Sequence, residues 1–170
     1  MVRPVNENRD RPILPPVDPL RSRQPAPDAV TPEAFAALLV DGDVDLAAWA
    51  LRVALSGRPR ADVYDTLVHD AMRLVGENWS KERWTVSEEH LASQTLTSAL
   101  AIVAPTGSPS DRIGPLAVVS CVTGGEHSLG LITLEHVLRD AGWSVANLRQ
   151  NVPSDTSSGM RPACRPGSWP

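Results

Sequence analysis

The chain has 170 residues, of which 42% are hydrophobic and 21% are charged. This length accommodates one ordinary domain or two small ones and excludes a large multidomain enzyme. A net charge of -4 and a pI near 5.5 argue against a general nucleic-acid-binding surface, which requires a basic patch. No apolar stretch is long enough for a membrane span or a signal peptide, and two cysteines are too few for a disulfide framework or a zinc site. We therefore expect a cytoplasmic protein.

Proline separates the chain into parts. Eight of the sixteen prolines lie in residues 1–32 and four lie in residues 153–170. Because these ends also lack apolar periodicity, we predict a disordered N-terminal segment over residues 1–30 and a disordered tail over residues 154–170. The chain between them divides into a helical domain, a linker and a small α/β domain, over residues 31–104, 105–115 and 116–153.

Capping residues and apolar spacing predict four helices between residues 31 and 104. Thr31-Pro32 and Asp43 are suited to begin the first two, and Thr85 with Glu88 forms a capping box before the fourth. The side chains expected to face the core recur at three- and four-residue spacing. They are Phe35, Leu38 and Leu39, then Leu46, Trp49, Val53 and Ala54, then Val63, Leu67, Ala71, Leu74 and Val75, then Leu91, Thr95, Ser98, Ala99 and Ile102. Four amphipathic helices joined by short turns are typical of a four-helix bundle.

The apolar pattern changes after residue 115. The run from Leu116 to Val122 is almost entirely apolar and β-branched, which is typical of a strand buried in a parallel sheet. A glycine-containing loop, an apolar-striped helix closed by Gly142 and a second strand within 143–148 follow it. This order predicts one βαβ unit of an open α/β sheet.

His127 lies in the loop after the first predicted strand, at the sheet edge where open α/β folds bind ligands. An imidazole there can donate a nitrogen lone pair to a metal, or it can simply hydrogen-bond to backbone at a helix start. The loop does not have the glycine spacing of a dinucleotide site, because Gly124 and Gly125 are adjacent and Glu126 would repel phosphate. One histidine does not decide between the two remaining interpretations.

Trp79, Glu89 and His90 form a second candidate cluster. Trp79 ends the third predicted helix and the other two residues begin the fourth, so antiparallel pairing would bring all three to one end of the bundle, lining one pocket. The alternative is that Trp79 belongs to the core and that Glu88 and Glu89 favour the positive end of the helix dipole.

The two clusters together resemble a known arrangement. Trp79, nine residues and then Glu89-His90 resemble the W-x9-EH motif of cobalamin-dependent light sensors of the CarH/LitR type. His127 and Gly130 resemble the H-x-x-G part of the corrinoid-binding D/E-x-H-x-x-G motif. The resemblance implies a four-helix-bundle cap followed by the start of a flavodoxin-like (Rossmann-type) cobalamin-binding domain. We expect that domain to be truncated at its C-terminus and the family's MerR-type DNA-binding domain to be absent.

The resemblance also implies roles for particular residues. His127 would be the lower axial ligand of cobalt, Trp79 and Glu89 would lie beside the upper ligand, and His90 would take the upper cobalt position after light breaks the Co–C bond. Gly125 stands where the family has its acidic residue, so Glu126 is the carboxylate nearest to the motif. The implied cofactor is adenosylcobalamin or methylcobalamin.

The function that follows is a cobalamin-binding sensory or regulatory module, responsive to light or B12, and not an enzyme. Its output would pass through a protein partner or a homo-oligomer, without direct contact with nucleic acid or membrane. One alternative is a corrinoid methyl carrier of a methyltransferase system, and another is a degenerate helical interaction protein that no longer binds the ligand. The two other histidines, His69 and His136, are expected to be packing or surface residues.

Overall fold

The computed structural model describes residues 30–106, 114–121 and 128–148. The segments predicted to be disordered, 1–30 and 154–170, lie outside these ranges except for Val30. Residues 107–113 of the predicted linker lie outside them as well.

The first described range is helical throughout its length. Its helices are α1 (Pro32–Val40), α2 (Val44–Leu55), α3 (Arg60–Val63), α4 (Asp70–Ser80) and α5 (Val86–Ile102). A π-helical segment, Tyr64–His69, joins α3 to α4 without a break, so these three stretches form the third helix of the predicted bundle. The π segment was not predicted, because a change from four- to five-residue hydrogen bonding leaves the apolar spacing of a short segment almost unchanged.

Side-chain caps begin α1 and α2 as the sequence predicts. Thr31 Oγ1 accepts a hydrogen bond from Ala34 N at 3.2 Å, and Asp43 Oδ1 accepts one from Leu46 N at 3.0 Å. Gly42 between the two helices has φ 75°, a conformation that strains residues with a Cβ atom. This turn folds α2 back against α1.

The bundle buries a continuous apolar core. Its largest fully buried side chains come from all four bundle helices: Phe35, Leu39, Leu51, Val63, Val75, Leu96 and Leu100.

The buried face of α5 differs from the predicted one. Ala92, Leu96 and Leu100 are fully buried, whereas Leu91 and Ile102, which were expected in the core, are 45% and 43% exposed. The sequence of α5 contains two neighbouring apolar stripes, one that includes Leu91 and one that begins at the next residue, Ala92. Contacts with α1, α2 and α4 bury the stripe that begins at Ala92. The predicted stripe was therefore wrong at both of its ends.

A similar shift occurs in α2. Trp49 and Val53 are only partly buried, whereas Ala47 and Leu51 have no exposed surface. Small buried residues allow the backbone of one helix to approach the next more closely than a tryptophan would.

The second part of the chain forms the predicted βαβ unit. Strands β1 (Leu116–Val119) and β2 (Ser144–Asn147) pair in parallel, with α6 (Ser128–Asp140) between them in sequence. Glu135 on α6 accepts hydrogen bonds from Arg139 Nε and from Asn147 Nδ2, both at 2.8 Å. These bonds attach the helix to β2 and confirm an α/β unit after the helical cap.

The β1 strand is less buried than predicted. Leu116 and Val118 are each 45% exposed and alternate with partly buried residues. Strands of parallel sheets become continuously buried only when both faces are covered, and the described layer on this sheet is α6 alone. The expectation of a fully buried strand was therefore wrong for the described residues.

The start of the sheet depends on a glycine. A Cβ atom at Gly114 would collide with the carbonyl group of Gly142. Ser144 N donates a hydrogen bond to the carbonyl oxygen of Pro115 at 3.0 Å beside this approach. The first pair of the two strands can therefore form only where one backbone lacks a side chain.

Within the described ranges, none of the helices combines the length and the apolar character needed to cross a bilayer.

Truncating Leu96 tests which face of α5 is buried. We expect Leu96→Ala to lower the free energy of unfolding by about 2–5 kcal/mol, because it leaves a cavity in the core. Leu91→Ala, on the predicted but exposed stripe, should cost about 0.5 kcal/mol. Urea unfolding followed by circular dichroism measures both, and equal losses would contradict the assigned buried face of α5.

Candidate functional site

A cleft separates α5 of the bundle from the beginning of α6. Its volume is about 370 Å³. The residues that line it are mostly polar and come from two turns of α5 and the first turn of α6: Glu89, His90, Ser93, Gln94, Thr97, Ser128 and Leu129. Two of the predicted site residues, Glu89 and His90, therefore face the same space as the helix that follows the predicted ligand loop.

Glu89 and His90 interact directly. His90 Nδ1 lies 2.8 Å from Glu89 Oε2, and Ser93 Oγ donates a hydrogen bond to Glu89 Oε1 at 3.2 Å. A carboxylate only accepts hydrogen bonds, so the proton of a neutral His90 is on Nδ1 and the lone pair is on Nε2. A carboxylate that orients an imidazole in this way is the usual support of a histidine metal ligand.

The His90 imidazole is available to a ligand, since 73% of its side chain is exposed, compared with 30% for Glu89. The carboxylate is thus the sheltered member of the pair and the imidazole is the outer one. Chemically, the pair presents one unprotonated nitrogen next to a fixed negative charge.

A capping box sets where α5 begins and so where this pair is placed. Thr85 Oγ1 accepts from Glu88 N at 3.3 Å, and Thr85 N donates to Glu88 Oε2 at 2.7 Å. The bond from the Thr85 backbone, together with one from its hydroxyl, lowers the pKa of Glu88. The predicted capping box is confirmed.

Trp79 lies at the C-terminal end of α4 and is 49% exposed. The turn after it is closed by hydrogen bonds from Glu82 N to Trp79 O at 2.9 Å and from Arg83 N to Asn78 O at 2.9 Å. This turn returns the chain directly to α5. The indole, however, is not among the residues that line the cleft with Glu89 and His90.

The predicted residues of the second motif are only partly described. Glu126 and His127 lie outside the described residues. Gly130 is exposed in the first turn of α6, with open space where a Cβ atom would stand. The described end of this motif is therefore next to the cleft, because Ser128 and Leu129 form part of its wall.

A second, mostly apolar cavity of about 200 Å³ adjoins this region. Val68 of the π segment, Met72, Leu96 and Leu129 are among the residues that line it. The sequence did not predict this cavity, because it forms where the π segment faces α6. No local sequence pattern indicates the π segment or its contact with α6.

Comparison with known proteins agrees with this architecture. Residues 32–104 match the model of the B12 binding domain family. The helical bundle is therefore similar to the domain that this family model describes. The match covers the bundle and includes Trp79, Glu89 and His90, and it supports cobalamin as the cofactor, as the sequence predicted.

Two transcriptional repressors from Myxococcus xanthus are similar in sequence. The HTH-type repressor CarH is 33% identical over 115 residues, which is 66% of this chain and 37% of CarH. The HTH-type repressor CarA is 34% identical over 84 residues, 49% of this chain and 29% of CarA. The chain thus matches well under half the length of either relative.

Among solved structures, the monomethylamine corrinoid protein of Methanosarcina barkeri has a similar fold. The TM-score is 0.59 at 16% sequence identity, over 77% of this chain and 62% of that protein. This likeness concerns the fold, and it confirms the prediction of a helical cap followed by a Rossmann-type unit.

Removing the N-cap side chain of α5 should destabilise the first turn of the helix, which carries Glu89 and His90. We expect Thr85→Ala to cost about 1 kcal/mol of unfolding free energy, because it removes the side-chain acceptor of the Glu88 backbone N–H. Ser87→Ala, an exposed change in the same turn, should have little effect. Chemical denaturation of the two variants compares them, and equal stabilities would contradict the role of the capping box.

Proposed function

We propose that this chain is a cobalamin-binding sensory module in which the corrinoid lies in the cleft between α5 and the start of α6. His127 would hold the cobalt from the α/β side. Trp79, Glu89 and His90 would stand on the cap side. The division into a cap over 31–104 and a corrinoid base over 116–153 forms part of this proposal.

One observation carries the proposal. The Glu89–His90 pair, within the part of the chain that matches the B12 binding domain family, faces Ser128 and Leu129, which directly follow His127 in the sequence. The two predicted motifs are separated by 36 residues, yet the described ends of both line one cleft. A flat macrocycle held there would be touched by both domains.

The chemistry of the cleft suits such a group. A bound corrin would bring its own ring nitrogens to the cobalt, so the protein would need to supply only imidazole nitrogens in addition. His90 offers one unprotonated nitrogen oriented by Glu89, and Ser93, Gln94 and Thr97 offer hydrogen-bonding groups for polar substituents around the ring. Bound adenosylcobalamin would supply a Co–C bond that light can break.

The sensory role follows from where these residues are attached. His90 belongs to the bundle and His127 precedes α6, so a change in the ligand on one face of a bound macrocycle would alter the contacts of one domain only. Different contacts with two states of a ligand shift the equilibrium between domain arrangements. Sequence similarity to the CarH and CarA repressors favours a regulatory output, which we propose passes to a protein partner, since the acidic net charge does not favour direct contact with nucleic acid.

Reconstitution in the dark tests binding. Purified chain incubated with adenosylcobalamin and passed over a desalting column should retain the corrin absorption bands. His127→Ala should lose the spectrum of a histidine-ligated cobalt, whereas His69→Ala, an exposed histidine outside the cleft, should retain it. A colourless chain would contradict cobalamin binding, and an unchanged axial-ligand spectrum in His127→Ala would contradict the assigned lower ligand.

Illumination with green light tests the sensory role and the upper ligand. The absorption spectrum of the wild-type complex should change irreversibly, and His90→Ala should bind in the dark but give a different final spectrum. Glu89→Gln should weaken the orientation of the imidazole and give an intermediate result. An identical photoproduct in His90→Ala would rule out its role, and transfer of the methyl group of bound methylcobalamin to an acceptor would favour a methyl carrier instead.

A further inference from the structure

Helix α6 is attached to the bundle by a buried hydrogen bond between residues far apart in sequence. The hydroxyl of Tyr64 and Nδ1 of His136 lie 2.8 Å apart, although 72 positions separate the two residues. Both residues are buried, with 6% and 5% of their surface exposed. Tyr64 is in the π segment and His136 is on α6, so the bond joins the cap to the α/β unit.

Arg60 extends this bond into a chain. Its Nη1 donates to the Tyr64 hydroxyl at 2.9 Å and to the carbonyl oxygen of Val103 at 3.0 Å, while its Nε donates to Asp140 Oδ2 at 2.6 Å. The arginine side chain is only 13% exposed. One guanidinium therefore connects the start of α3, the end of α5 and the end of α6.

The direction of the hydrogen bonds fixes the protonation of His136. Arginine only donates, so the Tyr64 oxygen accepts from Arg60 and its own proton points to His136 Nδ1. This direction assigns the neutral His136 ring with its proton on Nε2, since Nδ1 is the acceptor that lies within hydrogen-bond distance of the Tyr64 hydroxyl. Adding a second proton to the ring would leave the tyrosine hydroxyl proton without an acceptor in a buried place, which is costly.

Charges around His136 also oppose its protonation. Burial and the nearby Arg60 lower the pKa of His136, Glu135 and Asp140 raise it, and Arg139 lowers it, with a net decrease. Glu135 is already bonded to Arg139 and Asn147, and Asp140 to Arg60. From the π segment, Asp65 and His69 line the outer groove beside α6.

This chain of bonds contacts α6 far from the cleft, yet it influences where the other end of the helix lies in the cleft wall. The helix has 13 residues, about 20 Å, and is attached near its C-terminal end. Its other end supplies Ser128 and Leu129 to the cleft wall opposite Glu89 and His90. Leu129, Ile132 and Val137 also pack against the bundle core, so the hydrogen-bonded chain adds a polar attachment at the C-terminal end of a helix whose other end forms the cleft wall.

We infer that Arg60, Tyr64, His136 and Asp140 form a pH-sensitive latch that positions α6 on the cap, and that protonation of His136 opens it. The second part of the inference, which rests on the proposed function, is that opening the latch weakens the binding of the corrinoid. The four residues are positioning residues and do not touch the cleft.

The sign of the pH dependence follows from the lowered pKa of His136 in the folded chain. The unfolded chain takes up a proton on this residue near pH 6.5, whereas the folded chain does so only at lower pH. The contribution of His136 to the free energy of unfolding is therefore fully present above about pH 6.5. It decreases as the pH falls from there to the lower pKa of the folded chain, and it changes no further below that pKa.

Unfolding of the cofactor-free full chain tests the latch alone. Between pH 8 and pH 5, the unfolding constant of the wild type should rise more steeply than that of His136→Asn, by at most about tenfold per pH unit, the limit for one proton. The Asn side-chain oxygen can accept the Tyr64 hydrogen bond but does not titrate in this range. His69→Asn, which removes an exposed histidine, should follow the wild type.

Equal slopes for wild type and His136→Asn would overturn the latch. Should His136→Asn not fold, nitrogen NMR shifts of the wild-type imidazole decide the question. At pH 7.5 they should show the Nε2–H form of His136, and the Nδ1–H form would overturn the inference.

Spectroscopic titration with adenosylcobalamin in the dark tests the link to the ligand. Between pH 7.5 and pH 5.5 the wild type should lose about two- to twelvefold more affinity than His136→Asn, a range equivalent to one hydrogen bond. His69→Asn should again behave as wild type. Equal losses of affinity in wild type and His136→Asn would overturn the link to the ligand. The latch itself would still be tested by the unfolding measurements. Absence of binding in every chain at pH 7.5 would overturn the proposed function, and this link with it.

Discussion

Burial of one face of α5 is the constraint on which the other parts of the structure depend, because this helix is shared between the core and the cleft. Ala92, Leu96 and Leu100 pack inward against the other bundle helices. The same rotation of the helix turns Glu89 and Ser93 toward α6. The core and the cleft wall are thus not independent, since any rotation of α5 that exposed Leu96 would also remove Glu89 from the cleft. At 17 residues, α5 is long enough to serve both purposes.

The contact between the cap and the α/β unit has a different physical character from the bundle core. The core is apolar, whereas α6 combines apolar contacts of Leu129, Ile132 and Val137 with a buried polar chain that includes a histidine and an arginine. Buried polar contacts are strong only while every donor and acceptor is satisfied, so they respond to a single proton. A ligand between the two units would meet one rigid wall and one wall whose attachment can change.

The comparisons and the geometry together limit the function. The bundle matches the B12 binding domain family over residues 32–104, and the corrinoid protein from Methanosarcina barkeri has a similar fold. Under the proposed function, both the match and the fold are compatible with a sensor and with a methyl carrier. The proposed sensory role rests on the Glu89–His90 pair, because an imidazole oriented by a carboxylate could bind cobalt from the cap side once the upper position became free.

Sequence alone determined the helix caps, the four-helix bundle, the βαβ unit and the likeness to cobalamin-binding light sensors. These depend on local features: Thr31, Asp43 and the Thr85–Glu88 box are read from neighbouring residues, and the change from helical to strand spacing is visible after residue 115. The tertiary structure decided which of two apolar stripes α5 buries, left Trp79 outside the cleft lined by Glu89 and His90, and made His136 a buried partner of Tyr64. Local pattern does not reveal these features, because each depends on contacts between residues distant in sequence whose free energy appears only when the helices meet.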